Sequence, residues 1–264
     1  MAVSVAACGS SAAPAHHAAP KRHHKHRVQS TFVVNATPQP GWKPYLGPVP
    51  ILVYHNLGTP PPDEPYPGLY QTDQQFTQEM AWLDQQGYQG VTLDQVMGAW
   101  FHGGTLPAKP IVITFDNGYI PQVTFAPSVL SQYGWPGVLN EITQNHLDYA
   151  HIEDVLRLGW EVDSHSVSHP NLTAIPLAAL AYQVDYSRSF LRRTFHIPVN
   201  SFCYPSSLYS AAVIAAVKAD GYTSATTEGN QYATRADPFL LPRFEIENGL
   251  PELEQDLADH VDGP

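Results

Sequence analysis

Short apolar runs alternate with longer amphipathic stretches from Pro50 to the end of the chain. Apolar runs bounded by Gly, Pro or polar residues are typical of buried strands, and the stretches between them have the period of helices. The predicted strands are Ile51–Tyr54, Ile111–Phe115, Gly137–Asn140, Trp160–Asp163, Phe202–Tyr204, Thr223–Thr226 and Leu240–Ile246. The predicted helices are Asp73–Gln86, Leu93–Phe101, Pro121–Gln132, Ile152–Leu158, Leu177–Phe195, Ser210–Ala219 and Leu250–His260.

Strands that alternate with helices predict a parallel sheet joined by right-handed crossovers. About seven such units over roughly 210 residues suit a (β/α) barrel better than an open doubly wound sheet. No glycine-rich phosphate loop follows any strand, which argues against a nucleotide-binding domain. The predicted fold is therefore α/β, a distorted (β/α) barrel of about seven parallel strands in a single domain, residues 50–264.

The residues before Pro50 have a different composition. Residues 9–30 are rich in Ala, Pro, His and basic residues and have little to bury, which predicts a disordered tether followed by an extended, proline-rich lead-in to residue 49. The histidines of the tether could collect metal, but a solvated basic stalk is the favoured interpretation. Residues 1–8 resemble the end of a bacterial lipoprotein signal peptide, which predicts lipidation at Cys8 and an exported protein at the cell surface or outside the cell. An ordinary disordered terminus is the alternative.

The charge limits the kinds of molecule that the protein could bind, and the cysteine content limits how the fold could be stabilised. The net charge is −11, but residues 28–264 hold 9 Lys and Arg against 24 Asp and Glu, a net charge of −15 that argues against nucleic acid as a partner. Two cysteines are too few for a disulfide framework, and Cys203 is expected to be a small buried hydrophobe. No stretch approaches the ~20 apolar residues that span a bilayer, so membrane contact is expected only through a lipid anchor.

Polar residues follow several predicted strands directly. In a parallel barrel the working face is at the carboxyl ends of the strands, where Asp116-Asn117, His165 and His55 are expected to lie. His165 and His169 are four residues apart, a spacing that lets two imidazoles reach one metal ion. Together with Asp116-Asn117 they could form a three-ligand site with an open position for water, as in hydrolytic zinc sites.

Three short motifs carry a family resemblance. Thr114–Gly118 (TFDNG), His165–His169 (HSVSH) and Phe202–Pro205 (FCYP) resemble, in the same order, the first three motifs of the polysaccharide deacetylase family, also called the NodB-homology or carbohydrate esterase family. The likeness covers roughly residues 50–247. Pro50–His55 resembles the branch that includes poly-N-acetylglucosamine deacetylases, in which a histidine from this early strand replaces one that other branches supply near the carboxyl end.

The resemblance implies metal-dependent removal of acetyl groups from a sugar polymer. It assigns Asn117, His165 and His169 to a divalent metal, with Zn²⁺ as the expected ion, and Asp116 to the role of general base.

The same resemblance makes His55 the general acid for the departing amine. The backbone N–H near Ser206 is expected to stabilise the oxyanion.

Two positions depart from the family pattern. The family usually has two consecutive aspartates where this chain has Asp116-Asn117, and an amide ligand brings no charge, so the metal should be held more weakly. The Asn form resembles some peptidoglycan N-acetylmuramic acid deacetylases. Cys203 stands where the family often has an arginine that orients the aspartate, and Arg243 is predicted to reach Asp116 instead, with a plain salt-bridging role as the alternative.

Further residues are expected around the site. Asp163 is predicted to brace a metal-bound imidazole, with exposure to solvent as the alternative. A sugar groove is expected to be lined by aromatic and neighbouring residues that could equally belong to the core, namely Trp135, Trp160, Tyr204, Pro205 and Tyr209.

The leading functional hypothesis is removal of N-acetyl groups from an amino-sugar polymer such as cell-wall peptidoglycan or a poly-N-acetylglucosamine or chitin-like glycan. A non-catalytic carbohydrate-binding protein with a degenerate metal site is one alternative. An O-acetyl esterase of the xylan type is the other.

Overall fold

The computed structural model describes residues 38–145 and 147–259. The predicted lipidation at Cys8, the signal remnant of residues 1–8 and the tether up to residue 37 lie outside the described residues.

The strands are β1 Lys43–Pro44, β2 Ile51–Tyr54, β3 Asn56–Leu57, β4 Tyr70–Gln71, β5 Gln89–Gly90, β6 Thr105–Leu106, β7 Pro110–Asn117, β8 Val138–Glu141, β9 Glu161–Ser164, β10 Ser201–Cys203, β11 Ser224–Thr226 and β12 Phe244–Glu245. The helices are α1 Asp73–Gln85, α2 Leu93–His102, α3 Ile120–Thr124, α4 Ala126–Leu130, α5 Tyr149–Arg157, α6 Leu177–Phe195, α7 Ala211–Ala219 and α8 Leu250–Asp259.

Seven parallel strands form one curled sheet in the order β11-β10-β9-β8-β7-β2-β12, and β5 pairs with the start of β7. The helices between the strands make the crossovers that parallel pairing requires. The predicted distorted (β/α) barrel with seven parallel strands is confirmed.

The last predicted strand, Leu240–Ile246, is shorter than expected. Different parts of this segment pair with the two edge strands of the sheet. Leu241 forms a parallel bridge with Thr226 of β11, whereas Phe244 and Glu245 pair with β2. Pro242 lies between the two pairings and has no N–H to donate to a ladder. The segment therefore changes partner at residues 242–243, and it connects the two edges of the sheet.

The predicted helix Pro121–Gln132 is divided into α3 and α4, which meet at Phe125. Pro127 lacks the N–H that would continue the first helix and occupies the first turn of the second. By contrast, α6 has the predicted bounds and ends at His196 in the left-handed conformation.

Successive side chains of β7 point alternately into two different environments. Ile111, Ile113 and Phe115 pack with the surrounding helices, whereas Val112 belongs to a smaller cluster with α2 at the amino ends of the strands. Thr114 and Asp116 lie on the same face of β7 as Val112, because side chains two residues apart share one face of a strand. The interior of the barrel thus changes from apolar to polar toward the carboxyl ends, where the candidate site lies.

Residues 42–49, which the sequence placed in the lead-in, pack against the barrel. Trp42 and Tyr45 contact the smaller apolar cluster, and the indole of Trp100 donates a hydrogen bond to the carbonyl of Gly47. Val49 forms a bridge with Ala233. The described part of the chain has no helix with the length and apolar character needed to cross a membrane.

Candidate active site

The carboxyl ends of three neighbouring strands bring the predicted residues to one rim. Asn117 of β7 is in register with Glu141 of β8, which is in register with Ser164 of β9. His165 follows Ser164 directly, and its backbone N–H donates to the carbonyl of Glu141. The Asp116-Asn117 pair and the first histidine therefore lie two strands apart on the same side of the barrel.

A buried ion pair joins Asp116 to Arg243. The two guanidinium nitrogens Nη1 and Nη2 lie 2.8 Å from Oδ1 and Oδ2 of Asp116, a bidentate arrangement that fixes the plane of the carboxylate. Both side chains are almost fully buried. Arg243 comes from the segment that closes the sheet, where the chain changes partner between β11 and β2. This geometry places Arg243 on the carboxylate, and its catalytic importance stays a prediction.

Two further side chains contact the same carboxylate. Asn140 Nδ2 donates to Oδ1 over 2.7 Å, and the thiol of Cys203 lies 3.3 Å from Oδ2. Burial alone would raise the pKa of Asp116, but the guanidinium of Arg243 and the nearby imidazole of His165 lower it well below its usual range. Asp116 is therefore ionised throughout the physiological pH range.

The two imidazoles are adjacent and neutral. The rings of His165 and His169 have centroids 4.6 Å apart and are nearly perpendicular. Nδ1 of His165 lies 2.9 Å from the carbonyl oxygen of Cys203, so the Nε2 lone pair is available to a cation. Burial lowers the pKa of His165 to about 4 and also lowers that of half-buried His169.

His55 lies at the edge of this group. Its Nδ1 is 3.5 Å from Oε1 of Glu245 in the adjacent strand β12. Burial lowers the pKa of His55, and the charge of Asp116 opposes that shift. The side-chain amide of Gln122 donates to the carbonyls of both His55 and Asp116, which ties the ends of β2 and β7 together.

Asn117 ends β7 in a left-handed conformation, with φ of 79°, and is only partly buried. Its Nδ2 lies 3.5 Å from the hydroxyl of Tyr119, which leaves Oδ1 as the atom that could ligate a cation. Gly118 follows with φ of 78°, and a Cβ there would lie 2.2 Å from Oε2 of Glu141. Only glycine fits between this strand end and the buried carboxyl.

Replacing Gly118 with alanine should therefore destabilise the fold. The left-handed backbone alone should cost about 1–3 kcal/mol, and the displacement of Glu141 adds to that cost. Gly87 is the matched control, because its φ is 81° and a Cβ there would meet nothing within 4 Å. Chemical unfolding of the two variants checks the prediction, and equal losses in both would show that the contact with Glu141 has no energetic weight.

Ser206 and Ser207 form a turn after β10, both in the left-handed region with φ of 52° and 54°. The N–H groups of Ser207 and Leu208 donate back to Tyr204 and Pro205, whereas that of Ser206 has no partner among the described residues. A free, exposed amide at this rim is compatible with the predicted oxyanion role.

Two sets of side chains could be considered for the metal that the family implies. One oxygen of Asp116, one nitrogen of His165 and the sulfur of Cys203 lie within 4.8 Å of one another. A cation among them would face the Arg243 guanidinium, which already contacts both oxygens of Asp116 and lies 3.3 Å from the sulfur. Burial also raises the pKa of Cys203, so the thiol keeps its proton and is a poor ligand.

By the chemistry of its donor groups, the set formed by His165, His169 and Asn117 suits a divalent cation better. It offers two neutral imidazoles, one of them braced by a carbonyl, and an amide oxygen with no competing donor. This set contains no charged ligand, because residue 117 is an uncharged asparagine. The lack of a negative charge should weaken the binding of the cation.

Several residues that were predicted around the site are buried or contact other groups. Asp163 does not brace an imidazole, because its Oδ1 accepts from the backbone amides of Asn200 and Ser201 while the Cys203 carbonyl braces His165. The ring of Tyr204 is 1% exposed and cannot stack on a sugar. Of the other predicted groove residues, Trp135, Trp160 and Pro205 are buried and Tyr209 is 42% exposed.

Four further residues lie against the site and were not predicted from the sequence, namely Asn140, Glu141, Gln122 and Glu245. Asn140-Glu141 follows an apolar run, so the rule that selected Asp116 and His165 would also have selected this pair. Gln122 and Glu245 gave no comparable signal, because their positions depend on the start of α3 and on the closing segment.

The fold is a (β/α) barrel, and the rim groups described above are of the kinds that hydrolases use. A family model named polysaccharide deacetylase matches residues 103–225. The YxkH protein of Bacillus subtilis (strain 168), named as a candidate polysaccharide deacetylase, is 24% identical over 208 residues, which are 76% of this chain and 72% of that protein. The chain is therefore similar to polysaccharide deacetylases over residues 103–225 and over most of its length.

Two further comparisons agree with this assignment. The poly-beta-1,6-N-acetyl-D-glucosamine N-deacetylase of Escherichia coli (strain K12) is 39% identical over 61 residues, which are 23% of this chain and 9% of that protein. The solved structure of the Streptococcus pyogenes deacetylase PplD in complex with acetate has a TM-score of 0.75 at 21% identity, covering 80% of this chain and 99% of that chain. The second likeness concerns the fold alone.

Proposed function

We propose that this protein removes N-acetyl groups from an amino-sugar polymer in a metal-dependent reaction at the cell surface. The observation that carries the proposal is an ionised aspartate, held by Arg243, at the same barrel rim as two adjacent neutral imidazoles. The named substrate of the Escherichia coli relative supports an amino-sugar polymer, and the predicted export signal supports the location.

Each side chain has a distinct part in the proposed reaction. A divalent cation at Asn117, His165 and His169 would polarise the acetyl carbonyl and acidify water. Asp116 accepts the proton from the attacking water. Its Oδ2 is the suitable atom, because one of its two partners is the thiol of Cys203, a weak donor that water can displace.

His55, in the protonated form that the charge of Asp116 favours, then gives a proton to the departing nitrogen and is left as a neutral imidazole. Its Nδ1 faces Glu245, so Nε2 is the atom that can deliver a proton. The free N–H of Ser206 donates to the developing oxyanion. Arg243 positions Asp116 without contacting the substrate, and its guanidinium keeps Asp116 ionised.

Acetate release from a panel of polymers tests the proposal. The panel contains poly-N-acetylglucosamine, chitin oligomers, peptidoglycan and acetyl-xylan, each incubated with the zinc-loaded full chain. Release of acetate together with an equal amount of free amine supports the proposal. Release from acetyl-xylan alone would identify an O-acetyl esterase.

A non-catalytic glycan-binding protein is the second candidate, and one observation favours it. Every lone-pair direction of Asp116 is already used by Arg243, Asn140 and Cys203, and the neighbouring metal ligand is an uncharged amide. Tight glycan binding with no acetate release at saturating zinc would identify this class.

Replacing Asn117 with aspartate should tighten zinc binding by about tenfold, because the substitution adds a negative charge to a ligand set of neutral groups. Competition with a chromophoric chelator measures the change, and Asn117→Ala, which removes the oxygen ligand, serves as the control. Unchanged affinity in both variants would show that residue 117 is not a ligand. An inert, metal-free native protein that Asn117→Asp makes active would show that the native site is degenerate.

A further inference from the structure

The two adjacent imidazoles are carried by a turn, although their spacing of four residues suits a helix. Residues 166–168 form this turn, which follows β9 directly. The backbone is left-handed at both of its ends, with φ of 67° at Ser166 and 55° at His169. The short distance between the rings of His165 and His169 therefore depends on a backbone conformation that non-glycine residues seldom adopt.

The carbonyl groups of the turn are held by the chain that follows β8. The backbone N–H of Thr143 donates to the carbonyl of Ser166 over 3.3 Å. The backbone N–H of Gln144 donates to the carbonyl of Val167 over 2.8 Å. A left-handed backbone costs free energy and persists only where neighbouring groups hold it, so the N–H groups of the turn also need partners.

One side chain of α6 supplies most of those partners. Oε1 of Gln183 accepts from the backbone N–H groups of Val167 and Ser168, each over 3.0 Å. Nε2 of Gln183 donates to the hydroxyl of Ser168 over 2.9 Å. The N–H of His169 donates to the hydroxyl of Ser166 inside the turn. Two of the N–H groups between the imidazoles thus depend on a single oxygen atom.

Gln183 is itself fixed by the contact of α6 with the end of β9. One helical turn further along, the hydroxyl of buried Ser187 donates to the carbonyl of Gln183 over 2.8 Å. The hydroxyl of Ser164, the last residue of β9, donates to Ser187 over 2.7 Å. Residues four apart share one face of a helix, so the same face of α6 contacts both the strand end and the turn.

We propose that Gln183 is a positioning residue of the metal site, whose side-chain amide holds the turn so that His169 stays beside His165. The inference rests on the proposed function. Gln183 contacts the backbone of the turn, so it acts on the site through His169. Without Oε1, two N–H groups would lose their partner, and the turn could relax to a commoner conformation that moves the second imidazole.

The zinc affinity of the full chain, measured by competition with a chromophoric chelator, tests the inference. Gln183→Met keeps the length of the side chain but removes its acceptor and its donor, and it should weaken zinc binding by about tenfold. Gln183→Glu keeps the oxygen acceptor and should restore an affinity near the native value. Gln132→Met is the matched control, because the amide of Gln132 donates to the carbonyl of Ser128, outside the turn, and its loss should leave the affinity unchanged.

A second background separates positioning from a general loss of structure. In His169→Ala, the further substitution Gln183→Met should change the zinc affinity by less than about twofold, because the imidazole that the turn positions is gone. A general weakening of the fold would lower the affinity by the same factor in both backgrounds. Equal losses in the two backgrounds, or no loss from Gln183→Met alone, would overturn the inference.

Amide hydrogen exchange of the metal-free full chain gives an independent readout. In Gln183→Met the amides of Val167 and Ser168 should exchange faster, whereas that of His165, which donates to the carbonyl of Glu141, should not change. Unchanged exchange at all three would overturn the inference.

If Gln183→Met does not fold, Ser168→Ala takes its place. It removes only the hydroxyl that Gln183 Nε2 contacts and should weaken zinc binding by about threefold, the effect of one hydrogen bond. Unchanged affinity in this variant would also overturn the inference.

The same variants separate this inference from the proposed function. Weaker zinc binding in His169→Ala, with none of that loss in Gln183→Met, would overturn only the inference. Unchanged zinc binding in His169→Ala would overturn the proposed ligand set itself. Coupling between Gln183 and His169 in zinc binding, without acetate release by the native protein, would overturn only the proposed hydrolysis.

Discussion

Replacing Arg243 with leucine should lower the free energy of unfolding by about 3–5 kcal/mol near neutral pH, the cost of leaving a buried charge without its partner. Asp116 would keep two neutral donors, Asn140 and Cys203, but would lose the bidentate cation. The large effect is expected because both members of the pair are almost fully buried, where solvent does little to screen them.

The pH dependence of this loss identifies its cause. In the native protein the pKa of Asp116 is lowered, so the stabilisation is present above the usual aspartate pKa and is lost only as the pH falls through the lower folded value. Without Arg243, burial should raise the folded pKa instead, and the variant should lose stability as the pH rises. The gap between native and variant should therefore be wider at about pH 7 than at about pH 4.

Chemical unfolding at both pH values measures the gap. The control is Asp116→Asn/Arg243→Leu, which removes both charges and should recover part of the stability. A loss of the same size at both pH values would show that packing of the arginine side chain matters more than its charge.

The second large effect concerns turnover. Asp116→Asn should reduce acetate release by about 10²- to 10⁴-fold, the usual contribution of a positioned general base. The amide keeps the shape of the side chain, but it cannot take the proton from water. Zinc binding should be retained, because His165, His169 and Asn117 are unchanged.

Initial rates at saturating zinc, corrected for the folded fraction, measure the change. Asp163→Asn is the matched control, since Asp163 is an equally buried aspartate whose Oδ1 contacts backbone amides of Asn200 and Ser201 and not the metal-binding imidazoles. Its turnover per folded molecule should stay near the native value. Native turnover in Asp116→Asn would contradict the assigned mechanism.

Much of the site could be predicted because one geometric rule connects sequence to position. Parallel strands end at one rim, so His55, Asp116 and His165 could be grouped from the apolar runs that precede them. The contact between Arg243 and Asp116 was expected from the family resemblance, because Cys203 stands where the family often has an arginine. The pair Asn140-Glu141 also follows an apolar run and satisfies the same rule.

The predictions that differ from the structure concern the direction of side chains and the points at which a helix or a strand is interrupted. Asp163 and Tyr204 are on strand ends near the site, but the direction in which each points depends on how the sheet curls, which short runs do not encode. The division of the helix at Phe125 was legible from Pro127 in the sequence. The change of partner at residues 242–243 depends on how the sheet meets its other edge.

Acetate release as a function of bound zinc tests the central claim most directly. The metal-free full chain is titrated with zinc while bound metal and acetate from an N-acetylglucosamine oligomer are measured in the same samples, alongside His165→Ala. Acetate release should rise in step with the first equivalent of zinc in the native protein and be absent from the variant. Undiminished release from the metal-free chain, or no release from the fully loaded one, would contradict the account.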